Sequence, residues 1–191
     1  MRLILRIGLL AAALLAGCAE HYLPYRFSNY TTDYGALDNM RQKRVAVLNF
    51  DDISNGALAG NELSDEFSLQ LGKIGRFDII ERQRVSDLFR EQDFDPQRLD
   101  ASTAAQIGKM LGAHGVIMGK VTEYRRGKVG LNVKLVVVET GEIAWQGSDV
   151  LSARDGRVQA LVTDPGDQER LFNTPEYLGQ VLCRLMAETF K

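Results

Sequence analysis

From Arg44 to Phe50 the chain reads Arg-Val-Ala-Val-Leu-Asn-Phe, a mostly apolar run ended by Asp51-Asp52. A short apolar run bounded by turn formers predicts a buried strand, with the two aspartates as its turn. The period then changes. Leu63, Phe67, Leu71 and Ile74 recur every three or four residues, which predicts an amphipathic helix with Asn61 as its N-cap and Gly75 as its stop. Phe77 to Ile80 is a second strand. Val85, Leu88 and Phe89 mark a short helix within 81–91, followed by a polar loop containing Asp95-Pro96. Ser102 to Leu111, with Ala105, Ile107, Met110 and Leu111 apolar and Gly112 beyond the end, is a further helix. Strands follow at Gly115 to Val121, Leu131 to Val138 and Ile143 to Val150, the last two joined by a Thr140-Gly141 hairpin turn. The final helix opens with Thr174 as N-cap and Pro175 in its first turn, and its apolar face is Leu178, Val181, Leu182, Leu185 and Met186.

Strands separated by helices need crossovers and tend to run parallel, whereas strands joined by tight turns are antiparallel. The order therefore predicts an α/β fold, a single domain with a mixed β-sheet packed by helices. No internal repeat or low-complexity stretch interrupts it.

Two segments lack a clear period. Residues 19–43 contain Tyr22, Tyr25, Phe27, Tyr30 and Tyr34, including four of the six tyrosines of the chain. A free tether is normally rich in Gly, Ser or Pro and poor in aromatics, so this segment is expected to lie against its own domain or a neighbour. Between Leu151 and Thr174, Val158, Ala160 and Val162 alternate before a charged stretch from Asp164 to Arg170, which reads as an edge strand or a surface loop.

The N-terminus carries a different signal. Arg2 and Arg6 precede and punctuate an apolar stretch from Ile7 to Leu15, the charged region and short apolar region of an export leader. A transmembrane helix needs roughly 20 apolar residues, so this stretch is too short to span a bilayer. Leu15-Ala16-Gly17-Cys18 resembles a bacterial lipobox, which implies acylation of Cys18 and a membrane anchor that does not cross the bilayer. Ala19, rather than Asp, after the cysteine implies the outer membrane. The expected divisions are residues 1–17 as lipoprotein signal peptide, 18–43 as lipidated N-terminal segment and 44–191 as a periplasmic α/β domain.

With Cys18 acylated, Cys183 is the one remaining cysteine of two, so no intrachain disulfide is expected. Its apolar helical context marks it as a small core residue. A formal net charge of −2, with 23 basic residues scattered among 25 acidic ones, gives no basic stripe for nucleic acid. The loop Gly56-Ala57-Leu58-Ala59-Gly60 sits where a phosphate-binding loop would. It lacks the Gly-Lys-Ser/Thr ending and is flanked by Asp51, Asp52, Glu62 and Asp65. Asp51 and Asp52 have no His or Cys nearby in sequence to complete a metal site, and turn duties explain them. His114 has no nucleophile motif to serve, and His21 lies in the N-terminal segment. No catalytic, cofactor-binding or metal-binding residue is assigned, and an enzyme is the least favoured class.

The stretches RVAVLNFDD, LSDEFSLQLGKIGRFDIIERQRVSDLFREQ, TAAQIGKMLGAHGVIMGKVTEY and LVVVETGEIAW resemble the CsgG family of outer-membrane lipoproteins. More distantly they are similar to LpoB-type activators of penicillin-binding proteins and to the N-terminal domain of TolB. The resemblance implies a lipid-anchored module on the periplasmic face of the outer membrane. It also implies partners among envelope proteins of secretion, peptidoglycan synthesis, flagellar or polysaccharide export machinery, with a homo-oligomeric ring as a candidate assembly. Curli channels of this family add barrel strands between strands of the periplasmic domain. A barrel strand takes about 9–11 residues, so each such hairpin needs roughly 20. The connector Tyr124 to Gly130 is shorter and carries Arg125, Arg126 and Lys128; it reads as a turn. In the second connector, charges on a lipid face would cost about 2–4 kcal/mol each near the midplane. The expected function is therefore an accessory to an outer-membrane assembly or secretion machine; the alternative is a subunit of a curli-type channel. LpoB-type proteins place a long Pro-rich spacer before the domain, whereas Pro24 is the only proline in 18–43 here.

Overall fold

The computed structural model describes residues 24–52, 59–92 and 99–191. The leader, Cys18, His21, Tyr22, Gly56-Ala57-Leu58 and Asp95-Pro96 lie outside the described residues. The centre of the sheet is a long hairpin: β5 (Gly115–Arg125) pairs antiparallel with β6 (Lys128–Val137) through the two-residue turn Arg126-Gly127. Gly127 has φ +69, a left-handed conformation that suits a tight hairpin turn. The connector expected to be a turn is one. A second turn, with Gly141 at φ +75, leads into β7 (Ile143–Ser152), antiparallel to β6.

On the other side of β5 lie β2 (Arg44–Val47) and then β4 (Asp78–Ile79), both parallel as crossovers demand. The sheet order is β1-β7-β6-β5-β2-β4, with β1 (Tyr30–Thr32) as the edge antiparallel to β7. This is the mixed sheet that the sequence predicts.

One face is covered by α2 (Ala59–Ile74) and α7 (Pro175–Ala187). The expected apolar faces are buried: Leu63, Phe67 and Leu71 from α2, and Leu178, Val181, Leu182, Leu185 and Met186 from α7, share one core with Ile117, Val121, Leu131 and Leu135 of the sheet. At roughly 2 kcal/mol for each large aliphatic side chain fully removed from water, this layer dominates the stability of the domain. Gly60 lets α2 approach closely, since a Cβ there would fall 2.1 Å from the carbonyl oxygen of Phe50. On the opposite face α3 (Arg82–Gln92) and α4 (Ala101–Leu111) bury Val85, Phe89, Ala104 and Ile107 against Ala46, Leu48 and Val116.

Several boundaries differ from expectation. Asp51-Asp52 is not a turn but a short strand, β3, parallel to Lys120–Val121. β5 is eleven residues long and β2 only four, so β5 still has an unpaired edge beyond Ile117, and the chain returns to it. α2 starts at Ala59, which puts Asn61 inside the helix, where its carbonyl accepts the Ser64 hydroxyl. Asp100 caps α4 by accepting the Thr103 N–H at 2.7 Å, and Met110 is half-exposed while Ala104 takes the buried position. Thr174 makes no side-chain cap. Residues after β7 form neither a strand nor a loop but two helices, α5 (Gly156–Gln159) and α6 (Pro165–Asn173), which bury Val158 and Leu171.

The aromatic N-terminal segment docks on its own domain. The Tyr25 N–H donates to the Arg157 carbonyl at 2.9 Å and the Tyr25 hydroxyl donates to the Asp149 carboxylate. Burial, and then that hydrogen bond, push the phenol above its ordinary pKa. Phe27 is 8% exposed and stacks on Tyr30 at 5.6 Å, and Tyr30 stacks on the fully buried Trp145 at 6.3 Å. After β1, Asp33 caps α1 (Tyr34–Asn39) by accepting the Ala36 N–H at 3.0 Å, and Leu37 and Met40 are buried. Among the described aromatics of this segment only Tyr34, at 71% exposure, stands free of this packing.

Phe27→Ala is expected to destabilise the domain by about 3 kcal/mol, the usual cost of truncating a buried phenylalanine. The readout is the urea midpoint of the purified protein; a midpoint equal to that of the wild type would mean that the strap holds nothing.

Candidate interaction surface

The two helical layers are unequal. α2, α7 and the N-terminal strap back the sheet along its length, whereas the opposite layer, α3 and α4, packs on β2, on Ile80 just after β4, on the first part of β5 and on Val138 at the end of β6. Strand geometry then decides what remains open, because alternate residues of β6 and β7 point away from the core. Val129, Leu131, Val133 and Leu135 of β6 are buried; between them, Lys134 is exposed and Asn132 half-buried. Trp145 and Leu151 of β7 are buried, while Gln146 and Ser148 are exposed.

Register aligns these outward residues into two rows across the strands. Met118 faces Lys134, Lys134 faces Gln146 and Gln146 faces Thr31. Beside it, Lys120 faces Asn132 and Asn132 faces Ser148. Two neighbouring concavities of about 240 and 380 Å³ share Asn132 and Lys134, so the rows form a continuous polar groove over β5, β6, β7 and β1. Its polar groups are amides, hydroxyls, two ammoniums and the Asp51 carboxylate, with Leu99 and Met118 beside them, and they can donate and accept hydrogen bonds to a partner surface.

One rim of the groove is fixed by Arg82, whose role the sequence did not reveal. Its Nε contacts Asp65 Oδ1 at 2.5 Å, Nη1 donates to the Val47 carbonyl at 2.5 Å, and Nη2 donates to Asn49 Oδ1 at 2.6 Å and to Ser64 Oγ at 3.0 Å. The planar fork thus ties the start of α3 to the end of β2 and to α2, and holds Asn49 at the groove. The available signal was an arginine two residues after the strand Phe77 to Ile80, where charge beside a near-buried element calls for a partner.

The residues weighed for chemistry are scattered. The Asp51 carboxylate sits 3.0 Å from Lys120 Nζ at the groove, so its partner is an ammonium. His114 lies at the start of β5, its N–H donating to the Arg44 carbonyl, and it lines a separate cavity of about 520 Å³ with Lys109, Glu139 and Glu142. Ala59 and Gly60 are helical, the first turn of α2. Among the described residues no group of three or more His, Cys, Asp or Glu side chains is placed to hold a metal ion. Cys183 is fully buried, with Sγ 3.6 Å from the Leu63 carbonyl oxygen, and burial pushes its thiol pKa up. It is a core residue.

Comparison with known proteins places this geometry in a family. In Escherichia coli (strain K12), penicillin-binding protein activator LpoB is 29% identical over 104 residues, covering 52% of this chain and 47% of that protein. The chain spans about half the length of the curated relatives it matches. Among solved structures, the fold is shared with the PelC dodecamer of Paraburkholderia phytofirmans (TM-score 0.52, 16% identity, 84% of this chain and 94% of that one). It is also shared with lipoprotein GNA1162 of Neisseria meningitidis (TM-score 0.53, 14% identity, 77% and 96%). The NMR structure of E. coli LpoB matches at TM-score 0.51 and 23% identity over 72% of this chain and 73% of that one. The family model for the curli production assembly/transport component CsgG matches residues 22–129, and with more than half of its length inside that match the chain belongs to the CsgG family.

Proposed function

We propose that this chain is a lipid-anchored interaction module on the periplasmic face of the outer membrane, a non-enzymatic accessory to an envelope assembly machine. In this reading residues 1–17 are a cleaved leader, Cys18 carries the lipid and 44–191 are the working domain. The observation that carries the functional part is the unequal covering of the sheet: one face is finished by helices, and half of the other is left as an ordered polar groove around Asn132 and Lys134. Replacing Lys134 by a photo-crosslinking residue should trap an envelope protein in intact cells, and the same probe at the exposed Lys73 of α2 should not. Equal capture at both positions would remove the groove from the argument.

The partner is best sought close to the membrane. Residues 25–43 are docked, and the six residues from Cys18 to Leu23 can span at most about 20 Å. A relative is named a penicillin-binding protein activator, and activation of a cell-wall synthase is one candidate role here. This short connection requires that such a synthase come to the outer membrane rather than be reached across the periplasm.

Cys18→Ala should abolish incorporation of a clickable fatty acid and release the protein from the membrane fraction. Labelling that survives the substitution would refute the lipid anchor. The runner-up, a secretion-channel subunit, is disfavoured because the two connectors considered for barrel hairpins are a two-residue turn and a pair of short helices. Purified lipoprotein should give no discrete conductance steps in a planar bilayer; large reproducible steps would restore the channel reading.

A further inference from the structure

The polypeptide enters the fold at the hairpin end of the sheet. β1 runs antiparallel to β7, so tracing back from Tyr30 to Tyr25 leads toward Ser152, which is paired with Lys128 beside the turn Arg126-Gly127. Three segments meet at this end: the Gly127 carbonyl accepts the Ala153 N–H at 2.9 Å, and a Cβ on Gly127 would lie 3.7 Å from the Phe172 carbonyl oxygen. They present Arg126 and Arg154, both exposed, and Phe172, a phenylalanine 39% exposed. Most carboxylates here are engaged, Asp164 in its cap and Asp167 with Arg170 among them, while Glu169, one turn before Phe172 on α6, is exposed. Glu123 pairs with Arg125 and Lys128, Asp155 with Arg157, Asp149 accepts the Tyr25 hydroxyl, and Glu62, on the α2 side, accepts the Tyr124 hydroxyl. Glu176 is exposed on the same α2–α7 side. Neither Arg126 nor Arg154 has an ion-pair partner among the described residues.

We infer that this tip, Arg126, Arg154 and Phe172, docks on the anionic phospholipid headgroups of the membrane that holds the anchor. The inference rests on acylation of Cys18, which keeps Pro24, where the described chain enters at this end, within about 20 Å of the lipid surface because only five residues lie between the two. Two unpaired guanidiniums supply attraction to headgroup phosphates, and an exposed aromatic ring on an adjoining segment suits the polar–apolar boundary of a bilayer. Tethering raises the local concentration of tip at the surface, so a weak contact suffices to orient the domain.

The test uses the acylated lipoprotein carrying Phe172→Trp, reconstituted into vesicles of brominated phosphatidylglycerol or of brominated phosphatidylcholine. The native Trp145 is fully buried and serves as an internal reference. The new indole should be quenched in the anionic vesicles and not in the zwitterionic ones. Adding Arg126→Gln and Arg154→Gln should lower the docking equilibrium on the order of 25-fold, about fivefold for each charge, and high salt should act in the same direction. A chain that is acylated and membrane-bound, yet whose new indole is unquenched or equally quenched in both lipids, overturns the tip and leaves the anchor standing. A chain that is never acylated but is quenched by excess anionic vesicles overturns the anchor and keeps the tip.

Discussion

The packing around Trp145 joins the two ends of the chain. Its ring is fully buried on β7, with the ring of Phe190 from the C-terminal turn at 4.6 Å, Tyr30 at 6.3 Å and Phe27 at 6.4 Å. An edge strand of three residues has too few ladder bonds to stand alone, so β1 depends on this aromatic cluster to stay in register. Among the described residues the indole N–H finds no acceptor, a cost of about 1–3 kcal/mol that the surrounding apolar burial offsets. Because the strap is part of the core, it is not available as a tether. With the proposed lipid on Cys18, the distance between anchor and domain would therefore be set by aromatic packing more than 100 residues away in sequence.

Periodicity made most of this architecture legible beforehand. The faces of α2 and α7, the Gly75 and Gly112 stops and both hairpin turns came directly from spacing, because each is a local agreement between side-chain pattern and backbone period. What failed were elements whose reason is not local. β3 exists because β5 outruns β2, a comparison between strands 70 residues apart. β1 exists because Trp145 needs covering. The pair α5 and α6 was hidden by a different cause: Val158, Ala160 and Val162 alternate as in a strand, but Asp155 and Asp164 cap the backbone through the Arg157, Gly166 and Asp167 N–H groups. Asp164-Pro165 is the same cap-then-proline signature that located α7 at Thr174-Pro175, and it could have been read the same way.

The groove was less legible than the core, for a physical reason. A polar face on a strand looks the same in sequence whether a helix with polar contacts covers it, water does, or a partner does. Only the lateral extent of α3 and α4 separates these cases, and their limit at the start of β5 and the end of β6 leaves Lys134, Gln146 and Ser148 exposed. Arg82 was similarly hidden, because its four partners come from three elements.

The two surfaces of interest are related by the direction of the strands. The tip is the end of the β5–β6 hairpin, and the groove runs over the side of the same hairpin, centred several residues back from the turn at Asn132 and Lys134. With a strand rise of about 3.3 Å, Lys134 lies roughly 20 Å from Lys128 along β6. A domain resting on its tip would hold the groove upright and facing sideways, above the headgroups and clear of them. The two surfaces can thus be occupied together, one by lipid and one by protein, without either displacing the other. In the proposed docking the hairpin would meet the surface instead of extending through it, and its length would be spent on a face that a neighbouring protein can reach.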